Sequence, residues 1–246
     1  MLFLRKVWAI LAVVLFLTLL LLSLPIIAAN MVIAPGARAL RYNIWYLHHF
    51  FTPLFLRLIG IRLRIEGAEK LDRKQSYVIV GNHRSTLDFI VNAAAFPGIY
   101  RYLAKKELQK IPLFGWIVKK MCLIVDRDSP MSRARSMVAL KEQLKAGWSI
   151  FIYPEGSRNK TNDPLATFYD GAFRLAIQTG APIAIQTIVN MHEISNAASP
   201  IDLRPGKVRI VWDGPIETQH LKTEDVAALR DQVRAIMEQR LINYSN

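Results

Sequence analysis

His83 and Asp88 stand with four residues between them in Gly81-Asn82-His83-Arg84-Ser85-Thr86-Leu87-Asp88-Phe89, directly after the apolar run Tyr77-Val78-Ile79-Val80. A histidine oriented by a carboxylate can take the proton of a hydroxyl near neutral pH, while the carboxylate fixes the tautomer and stabilises the imidazolium. If the hydroxyl belongs to a substrate, no covalent intermediate is needed. On a single helix the two residues would lie about 140° apart. They meet only if His83 sits in a turn and Asp88 in the first helical turn beyond it. Val80-Gly81 reads as a strand end, and Ser85 or Thr86 can cap the helix that follows. The plainer reading is a capping aspartate beside an ordinary polar histidine, and the pair alone does not decide between them.

A second cluster, Tyr153-Pro154-Glu155-Gly156-Ser157-Arg158, also follows a buried strand. Gly156 lets the backbone approach a ligand, and Arg158 can hold a phosphate through two parallel hydrogen bonds. Arg127, in Asp126-Arg127-Asp128, follows a third strand, and Lys105, Lys106 and Lys110 lie upstream of it. Each has a bland reading as well: a β-to-α turn with an exposed arginine, a solvated residue, a charged face. In an open α/β sheet, such strand ends look onto one ligand crevice.

The elements that would position these groups are legible as short apolar runs alternating with helical patterns. Residues 62–66 alternate with period two, and residues 77–80, 123–125, 149–153, 182–189 and 207–212 read as further strands. Helices are expected over 131–146, ended by Gly147, and over 171–179, ended by Gly180. A last helix opens at Thr223-Glu224-Asp225 and places Val226, Leu229, Val233, Ile236 and Met237 on one face. Residues 187–206 are weakly patterned and read as a surface loop. The expected class is α/β: a central mixed, largely parallel sheet flanked by helices.

At 246 residues the chain suits one catalytic domain plus a membrane segment. Residues 7–29 carry no charge and follow Arg5 and Lys6. As a helix they cover roughly 30 Å, about one hydrocarbon core. A cleaved signal peptide would use Ala28-Ala29, but the run exceeds the usual signal core of about 7–15 residues, so a retained anchor is expected. Residues 42–59 mix Trp45, Tyr46, Phe50, Phe51, Phe55 and Leu56 with His48, His49, Pro53 and Arg57, which fits an interfacial helix, with a core-packing helix as the alternative. The division expected is therefore an N-terminal membrane anchor over 1–59 and an α/β domain over 60–246.

The formal charge of +13, from 32 Lys+Arg against 19 Asp+Glu, favours an anionic partner. No groove-reading or aromatic-basic nucleic-acid signature is present, so no nucleic acid is expected and a phospholipid surface or a phosphorylated substrate is. The single cysteine, Cys122, excludes an internal disulfide and a multi-cysteine zinc site.

With these residues in view, the chain resembles the glycerolipid acyltransferases, most closely the bacterial 1-acylglycerol-3-phosphate acyltransferases. Asn82-His83 through Asp88-Phe89 matches the family's NHxxxxD block, and Val125-Asp126-Arg127 its second block. Tyr153 through Arg158 matches the third, with Tyr for the usual Phe and Ser for the frequent Thr, and Ala181-Pro182-Ile183 matches the fourth. Two departures stand out: Tyr169 where a lysine is frequent after Phe168, and Ala184-Ile185-Gln186 where a second proline is common.

The resemblance implies transfer of an acyl group from acyl-coenzyme A or acyl-carrier protein to the free hydroxyl of a lysophospholipid, 1-acylglycerol-3-phosphate giving phosphatidic acid. His83 would be the general base and Asp88 its orienting partner. Arg127, Arg158 and Lys105 would hold the phosphate. Glu155 would position the glycerol or head group, with Gly156 and Ser157 in the same binding turn and amides near Gly156 meeting the oxyanion. No metal and no cofactor beyond the thioester co-substrate is implied. The location implied is the bacterial inner membrane, with the catalytic domain on the cytoplasmic side. Another lyso-lipid acceptor is an alternative, as is a membrane lipid hydrolase, although no Gly-x-Ser-x-Gly elbow supplies its nucleophile. A non-catalytic membrane adaptor with a lipid-binding basic face is the alternative outside enzymes.

Overall fold

The structure, a computed structural model, describes residues 2–34, 36–111, 114–125, 129–195 and 201–244. The chain opens with helix α1 (Leu2–Ile33), followed by α2 (Ala37–Tyr46), a π-helical turn (Leu47–Phe51) and α3 (Thr52–Leu58). Then come β1 (Ile61–Glu66), β2 (Val78–Gly81), α4 (Asp88–Ala95), β3 (Tyr100–Lys105), α5 (Phe114–Met121) and β4 (Leu123–Val125). The second half holds α6 (Pro130–Lys145), β5 (Ser149–Ile152), α7 (Gly171–Thr179), β6 (Ile183–Ile188), α8 (Met191–Ile194), β7 (Gly206–Ile216) and α9 (Val226–Asn243).

The strands form one seven-stranded sheet in the order β1-β7-β6-β2-β5-β3-β4. Every neighbouring pair is parallel except β6 with β7. The α/β class with a mixed, mostly parallel sheet is thus as expected. Its consequence for the site is direct: the C-terminal ends of β2, β5, β3, β4 and β6 lie on one edge of the sheet.

The period-two alternation of the buried strands divides the core. Ile79, Phe151 and Ala184 pack on one face with Ile90 and Val91 of α4, Phe55 and Leu56 of α3, and Ala9 and Ala12 of α1. Val78, Val80, Ile150, Ile152, Ile183 and Ile185 pack on the other with Leu140, Phe173, Leu229 and Val233 from α6, α7 and α9. Burying each large side chain contributes about 1.5–3 kcal/mol. Phe55, Leu56 and Ile59, all at most 2% exposed, therefore make the N-terminal segment part of the sheet's own core. Packing is continuous across residues 59 and 60.

Helix α1 is long and apolar enough to cross a membrane over Phe3–Ile33, yet it also folds back against α2 and α3 as an antiparallel hairpin. Arg5 pairs with Asp202, and Trp8 donates its indole N–H to the Ile59 carbonyl at 3.2 Å. Phe16 packs edge-on against Phe51 and Phe55, Ser23 meets the Tyr46 hydroxyl at 2.9 Å, and Asn30 donates to Asn43 at 2.9 Å. At the far end Arg41 donates to the Ala146 carbonyl at 3.1 Å and lies over the Trp148 ring. Leu11, Val14, Leu17, Leu21 and Leu22 face outward.

Four local expectations change. Residues 100–105 form a strand, β3, that the sequence pattern did not reveal. Neither Ser85 nor Thr86 caps α4; its N-cap is Leu87 with no side-chain cap bond, and the carboxylate of Asp88 itself reaches back to the preceding turn. Thr223–Asp225 is a separate 3-10 turn in which Asp225 accepts the Lys222 amide at 2.7 Å. Within the expected loop 187–206, α8 forms a short helix and Gly206 already begins β7.

Candidate active site

The turn from β2 into α4 begins where a side chain cannot be accommodated. A Cβ on Gly81 would meet the Phe151 ring at 2.6 Å, so glycine is what lets β2 and β5 close up at the edge. The next residue, Asn82, clamps the turn to β6: its amide donates to the Ile188 carbonyl at 2.8 Å and its oxygen accepts the Ile188 N–H at 2.8 Å. His83 follows, with both of its main-chain polar groups held by the β5 loop. Its N–H donates to Glu155 Oε1 at 2.7 Å, and its carbonyl accepts the Asn159 N–H at 2.7 Å.

Asp88 begins α4, and its Oδ2 lies 2.8 Å from His83 Nδ1. The same oxygen accepts the amides of Arg84 and Ser85, each at 2.7 Å. Because the carboxylate can only accept, the contact places the ring proton on Nδ1 and leaves Nε2 with its lone pair. Asp88 is 1% exposed and His83 20% exposed, so the carboxylate is sequestered while the imidazole reaches solvent. Such a ring can accept a proton from a group brought to Nε2.

Beneath the imidazole lies Tyr153, stacked with ring centroids 3.9 Å apart and planes 14° apart. Its hydroxyl accepts from Asn92 Nδ2 at 2.7 Å. Burial, with the neighbouring Tyr102 and Asp88 adding to it, pushes the Tyr153 phenol well above its ordinary value and keeps it neutral. Neither contact was foreseen. Tyr153 was visible only as the first residue of its motif, and Asn92 follows Asp88 by one helical turn, which puts both on one face of α4.

The structure assigns Glu155 a different place from the one expected. It is 4% exposed, and its two oxygens accept the amides of His83 at 2.7 Å and Ala166 at 2.8 Å. Burial pushes its carboxyl up, against the pull of these two donors. Glu155 braces the His83 turn, with both oxygens already engaged. Gly156 has a φ of +70°, a left-handed conformation that favours glycine, and its N–H closes the turn onto the Tyr153 carbonyl at 3.0 Å. That amide is therefore spent, and an oxyanion would have to be met by other donors. Ser157 is exposed in the same turn.

Arg158 crosses to the first motif, donating from Nη1 to the Thr86 hydroxyl. Arg84 is turned away, onto the carbonyls of Thr161, Asp163 and Pro164. Lys105 ends β3 on the same sheet edge, exposed and opposite Val125 of β4. Arg127 lies outside the described residues. Beside the Glu155–Ser157 turn, a cavity of about 660 Å³ extends between Leu103, Met137, Leu140, Tyr169 and Arg174. His83, Asp88, Glu155 and Arg158 are thus brought together, with Lys105 on the same edge beyond β5.

An acyltransferase family model matches residues 62–189, which hold all of these groups. A chloroplastic 1-acyl-sn-glycerol-3-phosphate acyltransferase, LPAT1 of Arabidopsis thaliana, is 31% identical over 174 residues, 69% of this chain and 48% of its own. The 1-acyl-sn-glycerol-3-phosphate acyltransferase of Borreliella burgdorferi is 33% identical over 136 residues, 55% of this chain and 54% of its own. The chain thus spans about half the length of these two relatives. The fold is that of the crystal structure of PlsC, the 1-acyl-sn-glycerophosphate acyltransferase of Thermotoga maritima, with a TM-score of 0.81 and 19% identity over 97% of both chains.

Proposed function

The chain belongs to the acyltransferase family, and we propose that it transfers a fatty acyl group from an acyl thioester to the free hydroxyl of 1-acylglycerol-3-phosphate, giving phosphatidic acid. What carries this reading is the His83 Nδ1 to Asp88 Oδ2 contact of 2.8 Å at the sheet edge where Arg158 also stands. The names of the relatives support the choice of acceptor.

His83 Nε2 takes the proton of the acceptor hydroxyl as its oxygen attacks the thioester carbonyl. The tetrahedral intermediate collapses with loss of the thiolate, which receives the proton back from the imidazolium. Asp88 holds the tautomer and stabilises the imidazolium. Arg158, with Arg127 and Lys105, binds the phosphate and so sets the hydroxyl against His83. Coenzyme A and acyl-carrier protein are both anionic donors that the cationic surface can receive.

Tyr153 presents its ring face to the imidazolium. A cation over an aromatic face is worth about 0.5–2 kcal/mol. Tyr153→Leu is therefore expected to lower the acyl-transfer rate by roughly 2- to 30-fold, while Tyr153→Phe keeps most of it. Steady-state rates of the two variants, with matched circular dichroism spectra, check this. Equal rates for Leu and Phe would leave the stack without a catalytic part.

Arg158→Gln is expected to raise the KM for 1-acylglycerol-3-phosphate by roughly 10- to 100-fold and to leave the thioester KM within a factor of about two, as loss of a charge-assisted phosphate contact implies. Acceptor and donor saturation curves measure this directly, and an unchanged acceptor KM would remove Arg158 from the phosphate site.

The hairpin supports a location at the membrane. Tied to the α/β body by Arg5 at one end and Arg41 at the other, it offers lipid one long apolar face through Leu11, Val14, Leu17 and Leu21. We place that face in the bacterial inner membrane with the α/β body on the cytoplasmic side, where thioester donors are found.

A further inference from the structure

His48 belongs to no part of the chemistry above. It sits in the π-helical turn between α2 and α3, a rare geometry that recurs at functional sites, and Thr52 satisfies its displaced carbonyl with a hydrogen bond of 2.9 Å. The residue is 6% exposed, and its Nδ1 is fully buried without a hydrogen-bond partner. Burial, reinforced by His49, lowers its pKa to about 3, so the ring is neutral.

The ring lines a small cavity of about 110 Å³ with Phe16, Leu20, Phe51, Phe89 and Ile117. Phe89, Ile90 and Ala93 of that lining follow Asp88 on α4, so the cavity lies under the helix that carries the carboxylate. The hydroxyls lining it are committed: Thr52 to His48, Tyr100 to Tyr102, and Tyr102 to the Phe89 carbonyl. The Gly98 carbonyl accepts from His49 Nε2 at 3.0 Å. The neutral His48 ring carries a lone pair or an N–H at Nδ1, and either one is unanswered. Among the described residues, an uncommitted imidazole nitrogen thus belongs to a largely apolar cavity wall.

We infer that this cavity receives a stretch of fatty acyl chain bearing a hydroxyl group, which hydrogen-bonds to His48 Nδ1. The inference rests on the acyl-transfer reading and deepens it by naming a chain specificity. The hydroxyl can sit on the donor's chain or on the chain already carried by the acceptor, since both are acyl chains handled beside α4. A plain chain fills the same space but leaves Nδ1 unpaired, and a buried unpaired polar group costs about 1–3 kcal/mol. Sites built for a hydroxyl reject the analogue that lacks it for this reason.

The test uses the purified full chain and two competition arms. In one, myristoyl thioesters of coenzyme A and of acyl-carrier protein compete with analogues whose hydroxyl is moved carbon by carbon along the chain, against a plain acceptor. In the other, the hydroxyl is carried by the 1-acylglycerol-3-phosphate and the donor is plain. One arm is expected to show one hydroxyl position preferred by roughly 5- to 100-fold in kcat/KM, and the arm identifies the source. His48→Leu is expected to abolish that preference while plain chains transfer at least as fast as in the parent. Equal rates for plain and hydroxylated chains in both arms, measured on the parent protein alone, overturn the inference. So does a preference that survives in His48→Leu. No transfer from any donor to any acceptor removes the acyl-transfer reading, and this inference with it.

Discussion

His83→Ala is expected to lower acyl transfer by about 10²–10⁴-fold, the usual contribution of a positioned general base, with the fold intact. The loss is large because, among the described residues, nothing else at the edge combines a lone pair with a proton-holding partner. The fold survives because the turn is held through the His83 main chain, which bonds Glu155 and Asn159, and not through the imidazole. The alanine variant keeps both of those bonds. What it loses is the stack on Tyr153 and the contact with Asp88. Initial rates with labelled donor, beside a thermal melt, separate the two consequences. A folded variant with near-parental activity would remove His83 from the chemistry.

Asp88→Asn is expected to cost up to about 10⁴-fold in kcat, the scale seen when a triad carboxylate becomes an amide and the histidine takes the wrong tautomer. Here the amide must choose. Since the single oxygen Oδ2 meets His83 Nδ1 and both amides, an NH₂ turned to His83 forces the ring proton onto Nε2, where the acceptor hydroxyl must dock, and gives up the bonds to Arg84 and Ser85 as well. A second effect travels with the first. Asp88 Oδ2 is the acceptor for two main-chain donors, that of Ser85 buried and that of Arg84 partly so, and weakening charge-assisted bonds of this kind costs about 1–3 kcal/mol of stability. The variant should therefore be both inactive and less stable, in contrast to His83→Ala, which should be inactive alone. Equal melting temperatures for the two variants would mean that Asp88 does not hold the turn.

Much of this architecture was legible in the chain because buried strands announce themselves as apolar runs. The strands at 61–66, 78–81, 123–125, 149–152, 183–188 and 206–216 fall where alternation or apolar runs placed them. β3 was hidden because Arg101 and Lys105 break its pattern. In the fold Arg101 is satisfied away from water, by Gln143 at 2.7 Å and by the carbonyls of Met121 and Cys122. Residue types reveal polarity, but not a partner more than forty residues away that neutralises it.

The hairpin was hidden for the opposite reason. α1 is apolar on every side, so no periodicity says which face packs inward; Ser23 and Asn30 mark it only once Tyr46 and Asn43 are seen opposite. At the site, the sequence named the side chains but not their duties. Glu155 and Arg158 look equally exposed in a motif, whereas one is buried under two amides and the other reaches Thr86. Stacking of Tyr153 on His83 joins the ends of two strands 70 residues apart by number, and only the parallel pairing of β2 with β5 brings them together.

The central claim is that the lipid's hydroxyl, and not one of the protein's own, receives the acyl group. The most direct measurement gives the purified protein a thioester labelled at its acyl carbonyl, with and without 1-acylglycerol-3-phosphate, and follows the label. Label is expected in phosphatidic acid with one thiol released per acyl group moved, and none on the protein when the donor is supplied alone. Label found in free fatty acid with the acceptor untouched, or held on the protein as a covalent acyl group, would contradict it.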